Sequence, residues 1–208
     1  MNAGGSRQLV RNWLTGFTLV IALALPRHAL AQNGLGSFLA GAAVGLAAHE
    51  AGHLLLDTAL GADVDLKKVS AGPIPFFAIT HQPVTPGREF AISSAGFWVQ
   101  HATNEFILSR RPHLRSERAP FVKGIVAFNV LTSIGYAVAA FAQAGPPERD
   151  TRGMAVSARI AEPALGATVL APALLDGARY YRPDVVWLKW ASRAAKVGGA
   201  VLIFRAAS

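Results

Sequence analysis

The sequence contains no cysteine. Disulfides, thiolate metal ligands and cysteine nucleophiles are therefore excluded, and any bound metal must be held by histidine and carboxylate. Charge is scarce too: Asp, Glu, Lys and Arg make up 15% of the 208 residues, against 52% hydrophobic, and the mean hydropathy is positive at +0.34. That balance indicates a membrane protein. Acidic residues are the scarcer sign, 12 against 20 basic ones, leaving a net charge of +8. The excess does not indicate nucleic acid, because the basic residues are not set among aromatics on one polar face. They collect between apolar stretches instead: Lys67 and Lys68, the run RRPHLRSER (residues 110–118), and Arg179, Arg182, Lys189, Arg193 and Lys196. Multi-spanning proteins distribute their charge in this way.

Residues 1–31 place Arg7 and Arg11 before an apolar stretch from Trp13 to Leu25, then Pro26 and Ala29-Leu30-Ala31. The pattern predicts a signal peptide cleaved before Gln32, or else a first transmembrane helix of the same orientation, with residues 32–208 as a single membrane-embedded domain. Apolar stretches long enough to span a bilayer, at roughly 20 residues each, run from Leu35 to about Leu60, from Arg88 or Glu89 to Leu108, and from Phe121 to Phe141. A fourth, from about Ala161 to Leu175, is short and contains Pro163 and Pro172, which predicts a kinked or re-entrant segment. Val197 to Phe204 is too short to count.

After the first span the pattern changes to period two, in DVDLKKV and IPFFAITH, separated by Ser70-Ala71-Gly72-Pro73. This predicts a hairpin. The segment PPERDTRG (residues 146–153) reads as a polar loop. The expected fold is an all-α polytopic membrane protein with about four to five transmembrane or re-entrant helices and a short membrane-edge β-hairpin. A signal peptide followed by several spans fits a bacterial inner membrane.

The chemistry is concentrated in AAHEAGHLLLDTALGA, residues 47–62. Residues four apart share a helix face, so His49 and His53 can aim ring nitrogens at one ion. Glu50, directly after the first histidine, can accept the proton of a water that zinc has acidified to a pKa near about 7. Chance placement yields H-E-x-x-H in about one chain in 200 of this composition, so spacing alone is only moderately specific. Its location adds weight, since an aspartate or lysine at a helix centre in a bilayer costs at least about 2.5 kcal/mol and such residues are functional candidates.

Catalytic zinc takes three protein ligands and leaves one position for water. Asp57, His81, His101, Glu105, Glu162 and Asp176 are the candidates for the third. Asp57 lies a further turn along the helix and is better suited to orienting a histidine. Glu105 would complete a His, His, Glu set. Asp176, in PALLDGAR, reads on local grounds as a turn aspartate at a helix end.

The order HEAGH, LGADVDLKKV, IPFFAITH, EFAISSAGFWVQ and PALLDGAR resembles the site-2 protease family of intramembrane zinc metalloproteases, over most of residues 40–182. The resemblance implies Zn2+ on His49, His53 and Asp176, Glu50 as general base, and hydrolysis of a membrane protein or peptide substrate in or next to the bilayer. A separate hypothesis is that IPFFAITH, as an edge strand, pairs with an unwound substrate. The sequence departs from the family at Phe97, where proline is usual, and at Ala178, where a second glycine is usual. Two alternatives are a diverged, non-catalytic membrane protein that binds metal or a partner through the same pocket, and a membrane zincin using Glu105. Simple alternation of spans puts residues 110–118 on the side that the positive-inside rule disfavours, and puts Asp176 on the side away from the hairpin.

Overall fold

The computed structural model describes residues 34–71 and 74–207; the signal-peptide reading of residues 1–31 lies outside them. Among the described residues, six α-helices and one two-stranded sheet follow in the order α1 (Gly34–Ala59), β1 (Val64–Ala71), β2 (Ile74–His81), α2 (Pro86–Arg110), α3 (Pro120–Ala142), α4 (Asp150–Ala158), α5 (Glu162–Tyr181) and α6 (Val186–Ala207), with a 3-10 turn at Leu114–Ser116. β1 and β2 pair antiparallel, from Val64 opposite His81 to Ala71 opposite Ile74. The hairpin read from the alternation is therefore present.

Local sequence sets the helix ends. α2, α3 and α5 each begin with a proline in the first turn, where the missing N–H costs nothing and φ is already helical. α3 and α4 end in left-handed residues, Gln143 (φ 49) and Arg159 (φ 56). α5 continues as one helix through Pro172 and on to Tyr181, so the expected short fourth span is the first part of a longer helix. Two elements depart from expectation: the segment read as a polar loop contains the start of α4, and the stretch read as too short belongs to a 22-residue helix, α6.

Among the described residues, α1 and α3 are long and apolar enough to cross a membrane. They pack together at glycines. A Cβ on Gly41 would meet the Phe121 carbonyl oxygen at 1.9 Å, and one on Gly124 would meet that of Phe38 at 2.0 Å. The helices approach so closely that only hydrogen fits at these points. α3 also packs on α5, α2 on α1, and α6 on α5 and α2.

Polar side chains are buried beside an apolar core that includes Phe90, Phe97, Leu165 and Val169. The buried face of α1 is Phe38, Gly41, Gly45, His49, Gly52, His53 and Asp57, while Leu39, Val44, Leu54 and Leu55 point outward, Leu55 at 68% exposure. Gln100, Asn104, Asn129 and Ser133 are also buried, whereas Phe106, Phe141, Leu174 and Trp190 are exposed. Large apolar side chains exposed beside buried polar ones are compatible with a lipid surround.

Candidate metal centre

Three ligand atoms converge where α1, α2 and α4 meet. His49 Nε2 lies 3.2 Å from His53 Nε2 and 3.1 Å from Asp150 Oδ2, and His53 Nε2 lies 3.5 Å from the same carboxylate oxygen. Ligands about 2.0–2.1 Å from a tetrahedral zinc are separated by about 3.3 Å. The three atoms thus form one face of a tetrahedron of the right size, with a fourth position left for water or substrate. This group could hold a metal ion.

Each ligand is positioned by its surroundings. His53 Nδ1 donates to the Ile92 carbonyl, 2.8 Å away; a carbonyl can only accept, so this bond fixes the tautomer that presents Nε2 to the site. His49 is placed by space. A Cβ on Gly96 would lie 2.4–2.5 Å from three atoms of the His49 ring, so α2 has a glycine where the imidazole sits. The ring also stacks on Tyr136 (centroids 6.1 Å apart) and meets the edge of Phe97 (5.6 Å). Among the described residues, His49 Nδ1 has no hydrogen-bond partner.

Asp150 is the first residue of α4, and its two neighbours are tied to one carboxylate. Arg149 makes a bidentate pair with Glu162, Nε to Oε1 at 2.7 Å and Nη2 to Oε2 at 2.6 Å, and Thr151 Oγ1 donates to Glu162 Oε1 at 2.9 Å. Arg149 Nη1 also donates to the Pro146 carbonyl. α4 can approach α2 closely because residue 153 is glycine: a Cβ there would lie 2.2 Å from Ser93 Oγ. Burial on its own would raise the pKa of the Asp150 carboxyl, but hydrogen bonds and charge from His49 and His53 outweigh it and hold the group below the usual carboxylate range. Lys67 of β1 pairs with Glu148 just before α4, at 2.7 Å, so the hairpin reaches the same corner.

Glu50 follows His49 on α1, is half-buried, and lies within electrostatic range of His49, His53 and Asp150. It is the group next to the ligand triangle able to take a proton.

The residues expected to supply the third ligand are placed elsewhere. Asp176 is fully buried, in the interior of α5 and not at a helix end; its Oδ1 accepts from Ser192 Oγ and Lys196 Nζ, both at 2.7 Å. Glu105 is bound by Arg179, Arg193 and Lys196, and Glu162 by Arg149. His101 is buried beside Trp98. Asp57 does not orient His53, whose second nitrogen is bonded to Ile92; its nearest histidine partner is His81, at 4.0 Å. Reading the sequence missed Asp150. The available signal was an aspartate in the first turn of a helix, where the dipole favours it, and that signal is too common to single out a ligand.

No family model, no curated protein and no solved structure matches the chain.

Proposed function

We propose that this chain is a membrane-embedded zinc metallopeptidase, similar in its chemistry to the site-2 proteases, that hydrolyses peptide bonds in or next to the bilayer. The observation that carries the proposal is the His49, His53 and Asp150 triangle with Glu50 adjoining it. The ligand set differs from the one the family resemblance implies, because Asp150 replaces Asp176. The donors are two imidazoles and one carboxylate, which suit zinc and leave a coordination position open. The two spanning-length helices, α1 and α3, and the exposed large apolar side chains support a position within the membrane.

A metal at this site supplies Lewis-acid polarisation of the scissile carbonyl and lowers the pKa of water. The chain supplies the rest. His53, locked by Ile92, and Asp150, locked through Arg149, Thr151 and Glu162, hold the geometry with little freedom to reorganise. Glu50 takes the proton of the attacking water on its carboxylate and returns it to the leaving nitrogen. Phe97 and Tyr136 pack around His49 and keep bulk water from the ring.

The test uses purified protein in detergent with a transmembrane peptide as substrate. Glu50→Gln should keep the metal content of the wild type and lose hydrolysis by at least about 100-fold, the scale of a lost general base. If the wild type holds metal but cleaves no such peptide, or if Glu50→Gln cleaves at the wild-type rate, the peptidase reading fails and a metal-binding role without this chemistry remains.

A further inference from the structure

The end of the bundle where α1 and α3 begin carries a collar of basic and aromatic side chains. It is built from the last turns of α2 and α5, the first turns of α6 and the run RRPHLRSER that leads into α3. Cations lie over rings around it: Arg110 over Phe106 at 5.3 Å, Arg115 over Tyr181 at 5.3 Å, and Lys189 and Arg193 over Trp190 at 5.9 and 5.4 Å, all within cation–π range. The pieces are contiguous. Arg193 Nη2 donates to Ser109 Oγ at 3.2 Å, which joins the start of α6 to the end of α2, and the Arg115–Tyr181 contact joins the 3-10 turn to the end of α5.

Two properties of the collar call for a partner. Its tryptophan faces are open, Trp187 at 64% and Trp190 at 61% exposure, which is costly against water. Its positive charge is also largely uncompensated. Arg111 and Arg193 pair with Glu117 and Glu105, but among the described residues Arg110, Arg115, Arg118, Arg182 and Lys189 have no carboxylate partner. Tryptophan and tyrosine beside arginine and lysine suit the headgroup level of a bilayer, where the ring body meets acyl chains and the cation meets phosphate. The position agrees: RRPHLRSER ends one residue before α3, a helix of spanning length, begins at Pro120, and Gly41 near the start of α1 packs on Phe121 at the same level. An acidic soluble partner would match the charges but not the open tryptophan faces.

From this we infer that the collar binds anionic phospholipid headgroups, with phosphates taken by Arg110, Arg115, Arg118, Arg182 and Lys189 and with Trp187 and Trp190 at the acyl boundary. The inference rests on the membrane position proposed above and not on hydrolysis. It also sets the depth of the metal centre. Gly96, which packs on the His49 ring, lies about 21 Å along α2 from Arg110. With α2 near the normal of a hydrocarbon core about 30 Å thick, His49, His53 and Asp150 fall in the half of the bilayer away from the collar, towards the hairpin.

The experiment reconstitutes the full chain in phosphatidylcholine vesicles and uses paramagnetic resonance to compare how much spin-labelled phosphatidylglycerol and spin-labelled phosphatidylcholine the protein immobilises. Phosphatidylglycerol should be preferred at least about 3-fold, and the preference should shrink in 1 M salt, where the screening length is about 3 Å. It should vanish in an Arg110→Gln, Arg115→Gln, Lys189→Gln variant. Removing the same charge from the opposite end, in Arg88→Gln, Arg152→Gln, Arg159→Gln, should leave it in place. The substituted side chains are exposed, so both variants should fold. Equal immobilisation of the two lipids by a wild type that stays in the vesicles overturns this inference alone, as does a preference that the collar variant keeps or that both variants lose alike. A chain that does not partition into vesicles overturns it together with the membrane position.

Discussion

Replacing Gly96 with alanine tests how the His49 ligand is placed. In a helix interior this change ordinarily stabilises by about 0.5–1 kcal/mol, since glycine has the greater backbone entropy to lose. Here the sign should reverse. The new Cβ would lie 2.4 Å from His49 Cε1 and 2.5 Å from both Nδ1 and Nε2, against an ordinary contact of 3.4–4 Å. The ring must therefore retreat by about 1 Å, and Tyr136 and Phe97 stand in its way. Overpacking of this kind costs about 1–3 kcal/mol, and metal–ligand distances tolerate shifts of only about 0.2 Å. The expected result is a protein that folds with lower thermal stability and binds zinc at least about 100-fold more weakly in competition with a chromophoric chelator. Gly198→Ala, in α6 with nothing within 4 Å of the added carbon, is the control: it should be neutral or slightly stabilising and leave zinc binding alone. Wild-type zinc affinity in Gly96→Ala would refute the argument.

Glu162→Gln strands the buried Arg149 guanidinium and should destabilise by about 3–5 kcal/mol in denaturant titration; because Asp150 lies between the two residues that Glu162 holds, zinc affinity should fall about 10–100-fold as well. A leucine at Gly41 should separate α1 from α3, read as lost thermal stability with the unfolded fraction raised. Lowering the pH should release the metal, because protons compete with it for the imidazole nitrogens of His49 and His53; zinc retention that stays flat down to pH 4 would count against histidine ligation.

Much of the fold is legible because strong local patterns coincide with it. The long apolar runs that became α1, α2 and α3 and the alternation on either side of Ser70 and Pro73 report local structure that tertiary packing did not override, whereas Pro163 and Pro172, read as a kink, lie within the continuous helix α5. The four-residue spacing of His49 and His53 reads directly as a shared face. α6 was obscured because Lys189, Arg193 and Lys196 lower its hydropathy; in the fold Arg193 and Lys196 pair with Glu105, and Lys196 also with Asp176. Asp150 was obscured for a different reason. Its segment looks like surface, and what brings it to the histidines is a tertiary device, the anchoring of Arg149 and Thr151 to a glutamate eleven or more residues away. Asp176 entered as a ligand only through the family resemblance, and in the fold its carboxylate is engaged by a lysine and a serine from α6. The conflict over Asp176, which alternation of spans put on the side away from the hairpin, does not arise in the proposed ligand set, where the third ligand is Asp150 of α4.

The most direct measurement is zinc affinity in Asp150→Asn beside Asp176→Asn, each compared with the wild type by chelator competition on folded protein. The account predicts a loss of at least about 100-fold for Asp150→Asn, beyond what removing a group outside the ligand set costs, and wild-type affinity for Asp176→Asn. Zinc lost from Asp176→Asn and kept by Asp150→Asn would contradict it.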